Sequence, residues 1–347
     1  MLGGGPAGAA VARALALRGR DVVVLEASAF DGPRYGETLA PECNPLLREL
    51  GVWEALASSA VESPGTLSAW GSSALGETDF VTNRHGSGWH VDRNAFDRLL
   101  CDAASRAGAV VRTGARATRC EREARGGWRI ELGSCEILSG RFVVDASGRN
   151  ATRLGADDER IVDDVLVAIF VRVVHEREPA SDLRTLVEST PDGWWYCAPV
   201  PSGQTVATFV TDPPTYANEG IALAEQLVRA PLTCARIGAA RILAIHVVQV
   251  PSSVRAPAAG ADWAATGDAA AAYDPLSGFG IAKALHDARP LAAAVDRALG
   301  GDGSALSAYA DGVRRAFDAY AAQRRSYYAL ERRWPERAFW KNRGARR

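Results

Sequence analysis

The chain has 347 residues, of which 47% are hydrophobic and 23% charged, as is typical of a globular enzyme with one large or two coupled domains. A formal net charge of -1 gives no positive field to attract nucleic acid, so we exclude a nucleic-acid-binding function. No apolar stretch has the length of a membrane span, and the 6 cysteines are scattered without metal-ligand spacing. We expect a cytoplasmic protein with reduced thiols, no bound metal and no membrane span.

A glycine turn, a helix and a strand follow one another at the start of the chain. Residues 3–8 have the spacing Gly-x-Gly-x-x-Gly, and the alanine-rich composition of residues 9–18 predicts a helix. The β-branched run at 22–25 then predicts a buried parallel strand that ends at Glu26. Only two residues precede the glycine turn, so the strand expected there is either unusually short or shortened by a late start site.

This arrangement is a dinucleotide-binding fingerprint, in which each glycine has its own physical reason. Gly3 permits a tight turn, Gly5 lets the backbone approach a pyrophosphate, and Gly8 lets the helix pack closely on the strand. Glu26 is placed to accept hydrogen bonds from the ribose hydroxyls of an adenosine. Because a carboxylate favours a free 2′-hydroxyl, the ligand is expected to be FAD or NAD rather than NADP.

Later segments alternate between helical and strand patterns before the character of the sequence changes. Apolar positions at helical spacing predict a helix at 93–107, and strands are predicted at 109–112, 128–138 and 141–144. Four β-like segments, separated by Pro, Gly and Asp clusters, then predict a mostly antiparallel sheet. These segments are residues 165–174, 193–199, 205–211 and 242–250. Helical patterning returns from about residue 277 to the end.

Two further motifs favour FAD over NAD as the ligand. Residues 142–149 form an apolar strand that ends in Asp-Ala-Ser-Gly-Arg, beginning at Asp145. Residues 263–270 form a strand that ends in Gly-Asp, and the Pro-x-x-Gly-x-Gly loop at 275–280 opens a helix. In this order, the glycine fingerprint and these motifs resemble the FAD-dependent monooxygenase and halogenase superfamily, which has the hydroxybenzoate-hydroxylase type of fold.

The resemblance implies how FAD is held. The carboxylate of Asp268 is expected at the ribityl or pyrophosphate portion, and the loop at 275–280 sets a helix N-terminus against the flavin ring. A helix dipole there stabilises the negative charge of reduced flavin. The residues expected to contact FAD are Gly3, Gly5, Pro6, Ala7, Gly8, Glu26, Ala27, Gly36, Glu37, Arg93, Asp145, Ala146, Gly148, Gly267, Asp268, Pro275, Gly278, Gly280 and Ile281.

Other segments resemble the halogenase-like branch of this superfamily, and the resemblance covers nearly the whole chain. Residues 34–41 resemble its Gly-Glu-x-Leu-x-Pro segment, which lies along the flavin. Residues 193–199 resemble the Gly-Trp-x-Trp-x-Ile-Pro signature, with Tyr196 replacing the second Trp and Ala198 replacing Ile. The ending, residues 327–343, resembles flavoproteins that build tryptophan-derived quinone cofactors.

We therefore predict an α/β fold in which a Rossmann-like FAD-binding domain is interrupted by a mostly antiparallel β substrate domain and followed by a C-terminal helical segment. The FAD-binding domain is predicted at residues 1–60, 91–155 and 255–300. The substrate domain is predicted at 61–90 and 156–254, and the helical segment at 301–347.

Aromatic and titratable residues are candidates for the substrate site. Trp194, Trp195 and Tyr196 are expected either to line a substrate pocket or to pack in the core of the middle sheet, and strand alternation turns at least one of them away from any pocket. His90 and Glu37 are weak candidates for an acid or base near the flavin, the alternative being a structural hydrogen-bonding role.

The positions of the lysines bear on whether the reaction is a halogenation. Flavin halogenases use a lysine between the flavin and the substrate, whereas this chain has only Lys283 and Lys341. Arginine is a poor substitute because its guanidinium is diffuse and permanently protonated. Halogenation is therefore disfavoured. Among enzymes, the main rivals are a halogenase and an oxygen-independent reductase of the same fold.

We expect an FAD-dependent monooxygenase that uses reduced flavin and O2 on a small aromatic, indole- or tryptophan-like substrate. NAD(P)H or a separate flavin reductase is expected to supply electrons, since no second glycine fingerprint indicates a nicotinamide domain. One alternative is a maturation enzyme that modifies a tryptophan in a partner polypeptide. Another is a protein that binds FAD poorly and performs no chemistry.

Overall fold

The computed structural model describes residues 1–154, 158–175, 182–213, 216 and 223–344. Helices pack on a small parallel sheet, and a seven-stranded, mostly antiparallel sheet lies beside them, which is the predicted fold class. No helix in these ranges is long and apolar enough to cross a membrane.

The helices are numbered in chain order over the described residues. They are α1 (Pro6–Ala16), α2 (Cys43–Glu49), α3 (Trp53–Ala57), α4 (Arg93–Arg106), α5 (Leu223–Val228), α6 (Pro231–Ile237), α7 (Gly280–Leu299), α8 (Ser304–Tyr328) and α9 (Ala338–Gly344).

The strands are numbered in the same way. They are β1 (Val23–Leu25), β2 (Thr38–Leu39), β3 (Val61–Ser63), β4 (Gly65–Ala69), β5 (Gly76–Asp79), β6 (Gly88–His90), β7 (Val110–Arg112), β8 (Ala117–Arg122), β9 (Trp128–Leu132), β10 (Ile137–Gly140), β11 (Val143–Asp145), β12 (Glu159–Asp164), β13 (Val167–His175), β14 (Thr185–Thr190), β15 (Gly193–Pro199), β16 (Gln204–Thr211), β17 (Ala240–Gln249), β18 (Ser252–Ala256), β19 (Trp263–Ala265) and β20 (Ala271–Ala272).

The parallel sheet is joined at its centre by a single residue. Strand β1 pairs with β7, and β11 pairs with β19, in both cases in parallel. Leu2 lies between the two pairs, forming parallel bridges to Leu25 and Asp145. Its N–H donates to Val144 O at 2.9 Å, and the N–H of Gly3 donates to Leu25 O at 2.8 Å. One residue therefore occupies the position predicted for a first strand.

Helix α1 carries small side chains, so other helices pack closely against several of its sides. Ala9, Val11 and Ala12 are fully buried, and the helix contacts both α4 and α7. Alanine lets these helices approach closely without large side chains between them. Since α1 begins at the glycine turn, this packing fixes the turn against the sheet.

The seven-stranded sheet has the order β17-β13-β16-β15-β14-β4-β5. All neighbouring strands are antiparallel except β14 and β4, which run parallel. Residues of β4 and β5 come from the first predicted piece of the substrate domain, and the other strands come from the second. One face of the sheet packs against α5 and α6, and the other face packs against the end of the chain.

An aromatic cluster attaches the C-terminal residues to this second face. Its rings contact one another with centroids 5.0–6.4 Å apart. The cluster consists of Trp70, Trp194, Tyr328, Phe339 and Trp340. Arg343 adds ion pairs to Asp164 and Asp212, so the tail is held by both apolar packing and charge.

Replacing Trp340 with alanine tests this attachment. Trp340 is 3% exposed and its indole N–H donates to Thr190 O at 2.9 Å, so W340A leaves a cavity and an unpaired carbonyl. We expect the free energy of unfolding in urea to fall by about 3–5 kcal/mol. The control L330A removes a side chain that is 55% exposed and should cost less than about 1 kcal/mol. Equal midpoints for the two variants would contradict this account.

Candidate functional site

Three glycine-containing turns meet at one edge of the parallel sheet, where its strands end. A Cβ on Gly3 would lie 2.5 Å from Ala146 O, and one on Gly267 would lie 2.8 Å from the Cβ of Ala7. The turn at 3–8, the turn after β11 and the turn after β19 are therefore in contact. Ligands of open α/β sheets bind at this carboxyl edge, where the N-terminus of a helix is also available.

Within the first turn, Gly5 and Gly8 face different surroundings. A Cβ on Gly8 would collide with Gly3 O, so no side chain fits there. A Cβ on Gly5 would meet no heavy atom within 4 Å, although its φ of -72° is available to any residue. Backbone N–H groups at the N-terminus of α1 therefore have an open approach beside Gly5, which suits the pyrophosphate of a dinucleotide.

Glu26 is buried and already bonded to protein donors. Its carboxylate accepts from Gly4 N at 2.8 Å, from the N–H and hydroxyl of Ser28, and from Arg34 at 2.7 Å. Burial works to raise the pKa of this carboxyl, but the Ser28, Gly4 and Arg34 contacts together lower it. A second acid, Asp97, pairs with Arg34 at 2.6 Å and with Arg93 at 3.2 Å. The charge of Glu26 is thus fixed beside the glycine turn.

The two other predicted acids lie in different environments. Asp145 is fully buried, and its oxygens accept from Ser147, Thr152 and Arg255. Because protein donors already surround both oxygens, the carboxylate of Asp145 orders the turn that contains Ala146 and Gly148, and a direct contact with a ligand is not favoured. Asp268 is partly exposed and pairs with Arg149 at 3.2 Å, so it remains accessible at the same edge.

The loop that precedes α7 lies next to these turns. Gly278 has a left-handed φ of 61°, and Gly278 and Gly280 are both exposed, with no heavy atom within 4 Å of an added Cβ. Pro275 and Ile281 flank this exposed part and are half-buried. A flat group could therefore pack against the N-terminus of α7.

Buried hydrogen bonds hold this loop from behind. Asp274 accepts from Leu276 N at 2.9 Å and from the hydroxyl of Tyr328 at 2.9 Å. The indole N–H of Trp194 donates to the same hydroxyl at 3.0 Å. Burial raises the pKa of Asp274, and the nearby Arg324 opposes that rise. The chain of contacts links the seven-stranded sheet to the loop through α8.

The segment that contains Gly36 and Glu37 connects the two sheets. Gly36 has a φ of 90°, and Arg93 donates to the carbonyl oxygens of Tyr35 and Gly36. The ring of Tyr35 stacks on Phe170 of β13 with centroids 3.9 Å apart. A turn held by Arg93 of α4 therefore contacts the seven-stranded sheet directly.

A cavity of about 240 Å³ opens at this contact. Aromatic rings and charged groups line it together. The lining side chains include Glu37, Arg93, Asn94, Phe170, Arg172 and His246. Within the described part of the chain, the guanidinium of Arg172 has no ion-pair or hydrogen-bond partner. Sequence reasoning missed Arg172, although a single cation within the apolar run at 165–174 was an available signal.

Glu37 and His90, the two candidate acid–base residues, differ in access. Glu37 is 2% exposed and lines the cavity, and burial raises the pKa of its carboxyl although Arg93 and Arg172 oppose the rise. His90 does not line this cavity and is fully buried.

The hydrogen bonds of His90 fix its tautomer. Its Nε2 lies 2.8 Å from Leu183 O, which can only accept, so Nε2 carries the proton. Its Nδ1 then accepts from Thr38 Oγ1 at 3.0 Å, and the hydroxyl of Tyr196 donates to the same Oγ1 at 2.5 Å. Burial lowers the pKa of His90 to about 4, so a structural role is favoured over proton transfer.

The three aromatic candidates of β15 do not line one pocket. Trp194 belongs to the aromatic cluster, and Trp195 packs on the opposite face of the sheet, where its indole N–H donates to Gln226 O. Both rings are 1% exposed. They therefore pack in the core of the sheet, which was the alternative to lining a pocket. Tyr196 faces the same side as Trp194 and ends at Thr38. The substrate assignment of these three residues is not supported by their positions.

Neither lysine lines the cavity. Lys283 lies on α7 and pairs with Asp287 at 2.8 Å, and Lys341 lies exposed on α9. Ala27 lies exposed after Glu26, with no contact that tests its predicted role. The other predicted cofactor residues are brought to the carboxyl edge or to the segment at 34–37, and their contacts with FAD stay predictions.

Comparison with known proteins identifies the family. A family described as FAD binding domain matches residues 1–325. The chain belongs to this FAD-binding family. A putative FAD-dependent oxidoreductase of Marinomonas mediterranea, LodB, is 29% identical, and the match spans 99% of this chain and 96% of that protein.

Two solved structures have the same fold over nearly the whole chain. The flavin-dependent halogenase CmlS is 26% identical with a TM-score of 0.89, covering 100% of this chain and 67% of its own. The peptidyl tryptophan dihydroxylase QhpG, essential for tryptophylquinone cofactor biogenesis, is 27% identical with a TM-score of 0.81, covering 99% of this chain and 77% of its own. This protein is thus an FAD-dependent oxidoreductase of the halogenase and monooxygenase family.

Alanine at Gly5 and at Gly8 should separate cofactor binding from folding. In G5A, the new methyl group occupies the open approach to α1, so we expect FAD affinity to fall at least about tenfold with an unchanged unfolding midpoint. In G8A, the collision with Gly3 O should lower both. Fluorescence titration with FAD and urea unfolding measure the two effects, and G303A, which adds a methyl group at another open site, is the control. Normal FAD affinity in G5A would contradict the assignment.

The buried neutral His90 should make stability depend on pH. Its pKa of about 4 in the folded state lies below the ordinary value of 6.5, so the unfolded chain binds the proton more tightly. The contribution to stability is complete above pH 6.5 and is lost as the pH falls towards 4, by about 3 kcal/mol. In H90Q, urea unfolding should show a smaller loss over this window. H286Q, at a histidine whose side chain is 76% exposed, should lose as much stability as the wild type over this window. A loss in H90Q equal to that of the wild type would refute the assignment.

Proposed function

We propose that this protein is a monooxygenase that hydroxylates an indole or tryptophan-like ring with reduced FAD and O2. The observation that carries the proposal is the cavity between the two sheets, which combines a buried carboxyl with aromatic walls but contains no lysine. When bound, reduced FAD and O2 supply the oxygen atom. The remaining tasks are to orient the ring, exclude water and accept a proton.

Residues at the carboxyl edge would hold the cofactor. The N-terminus of α1 beside Gly5 would take the pyrophosphate, and Asp268 would lie near the ribityl chain. Glu26 would fix the adenosine end, with Arg34 neutralising part of its charge. The exposed turn at Gly278 would support the ring. The open Cβ direction of Gly5 supports this fit, because no protein atom fills it.

Glu37 is our candidate for the acid–base group. Its carboxyl lines the cavity, and burial raises its pKa, so it would accept a hydrogen bond from the N–H of an indole bound there. The same carboxyl can take up the proton that leaves the ring carbon when a hydroxyl group replaces the hydrogen. Arg172 would balance the negative charge of Glu37.

Halogenation is the rival chemistry, and the absence of a lysine from the cavity lining disfavours it. Lys283 is paired with Asp287 on α7, and Lys341 lies on the C-terminal helix, so neither amine reaches the cavity lining. Electrons would come from NAD(P)H by transient docking or from a separate flavin reductase. The similarity to QhpG, which acts on a peptidyl tryptophan, favours a tryptophan of a partner polypeptide as the form of the substrate.

The test is product analysis under isotopically labelled O2. The protein with FAD, a flavin reductase and NADH is offered indole, tryptophan and a short tryptophan-containing peptide, in buffer with chloride and bromide. We expect at least one product to gain a labelled oxygen atom and none to gain a halogen. In E37Q the rate per bound FAD should fall at least about tenfold, because the proton acceptor is lost.

The matched control is E62Q, which neutralises an exposed glutamate on β3 and should leave the rate unchanged. A brominated or chlorinated product would overturn the proposal. So would FAD-loaded protein that consumes reduced flavin without modifying any of the three compounds.

A further inference from the structure

Strand β17 is an exposed edge of the seven-stranded sheet. It runs for 10 residues and pairs on one side with β13, and the sheet order places no described strand on its other side. Several of its apolar side chains remain open to solvent: Ile242 is 54% exposed, Ile245 is 50% exposed and Val247 is 46% exposed. An apolar edge of this length offers free backbone N–H and C=O groups to another extended chain.

The edge also lacks negative charges, which would repel an acidic partner. The three outer strands, β13, β16 and β17, contain no Asp or Glu. Their charged or titratable residues are Arg172, His175, Arg241 and His246. The surface is therefore apolar with a basic border, which complements an extended segment of alternating apolar and acidic residues.

The edge is continuous with the cavity. Ala244 and His246 of β17 form part of the cavity lining, next to Phe170 and Arg172 of β13. Side chains of an added strand would alternate between the two faces of the sheet. Those on the face of Ala244 and His246 would point towards the cavity mouth, whereas those on the face of Ile245 would cover its exposed apolar surface.

We propose that β17 is the docking site for an extended, acidic, tryptophan-bearing segment of a partner polypeptide, which adds as a further strand and directs its tryptophan into the cavity. This inference rests on the proposed hydroxylation and assigns the surface that binds its substrate. The added strand would supply binding energy through backbone hydrogen bonds and apolar contacts, away from the reacting ring.

The experiment measures binding and turnover separately. The probe is a fluorescently labelled synthetic peptide with one central tryptophan between alternating valine and aspartate residues. In I245E, the added charge repels the peptide and removes an apolar contact on the face opposite the cavity, so its affinity by fluorescence anisotropy should fall about tenfold. Hydroxylation of free indole should be unchanged. The matched control is V162E, because Val162 of β12 is also 50% exposed, and this variant should bind the peptide with normal affinity.

A second variant protects the test against misfolding. R241Q changes one exposed side chain of β17 and should weaken binding while reducing its dependence on salt. Equal peptide affinity in I245E and V162E would overturn the inference, as would a wild-type dimer that I245E converts to a monomer. Hydroxylation of indole without any peptide binding would overturn the docking site but retain the proposed function. Peptide binding at β17 without hydroxylation would retain the docking site and remove the function.

Discussion

The backbone of Leu2 is paired on both sides, and this pairing determines where the rest of the cofactor-facing region lies. Leu2 lies between β1 and β11, so Glu26, directly after β1, and Asp145, at the end of β11, lie on either side of it at the same edge. The glycine turn follows at once, and neither Gly3 nor Gly8 has room for a side chain, because a Cβ on Gly3 would meet Ala146 O and a Cβ on Gly8 would meet Gly3 O. Because the turn is fixed in this way, the N-terminus of α1 can only point along that edge, beside the turn after β19.

The second constraint is the segment at 34–37, which joins the two halves of the molecule. Arg34 is held by Glu26 and Asp97 in the dinucleotide-binding half, while Tyr35 stacks on Phe170 of the large sheet. Glu37 follows directly and is carried into the cavity by this short connection. The position of Glu37 therefore depends on the ion pairs of Arg34, although these groups take no part in the proposed hydroxylation.

Local signals in the sequence predicted much of this arrangement. The helix predicted at 93–107 is Arg93–Arg106, and the strand predicted at 193–199 has those bounds, because spacing and β-branched composition act within a few residues. The family motifs also located the three turns. Alternation correctly separated Trp194 from Trp195, but it did not show that both faces of β15 are covered.

Features that depend on distant partners were not accessible in the same way. The donors around Asp145 include Arg255, which is 110 residues away, so its carboxylate could not be distinguished from one that faces a ligand. The role of Arg172 depends on a cavity formed by segments far apart in the chain. The exposure of β17 depends on strand order, which hydrophobic pattern alone does not fix.

The most direct measurement is the visible absorbance spectrum of the purified protein during addition of FAD, then NADH or NADPH in air, with and without an indole compound. The account predicts a bound yellow flavin whose turnover accelerates when an indole or tryptophan-containing peptide is present. A protein that binds no flavin after FAD is added, or whose bound flavin responds to none of these compounds, would contradict it.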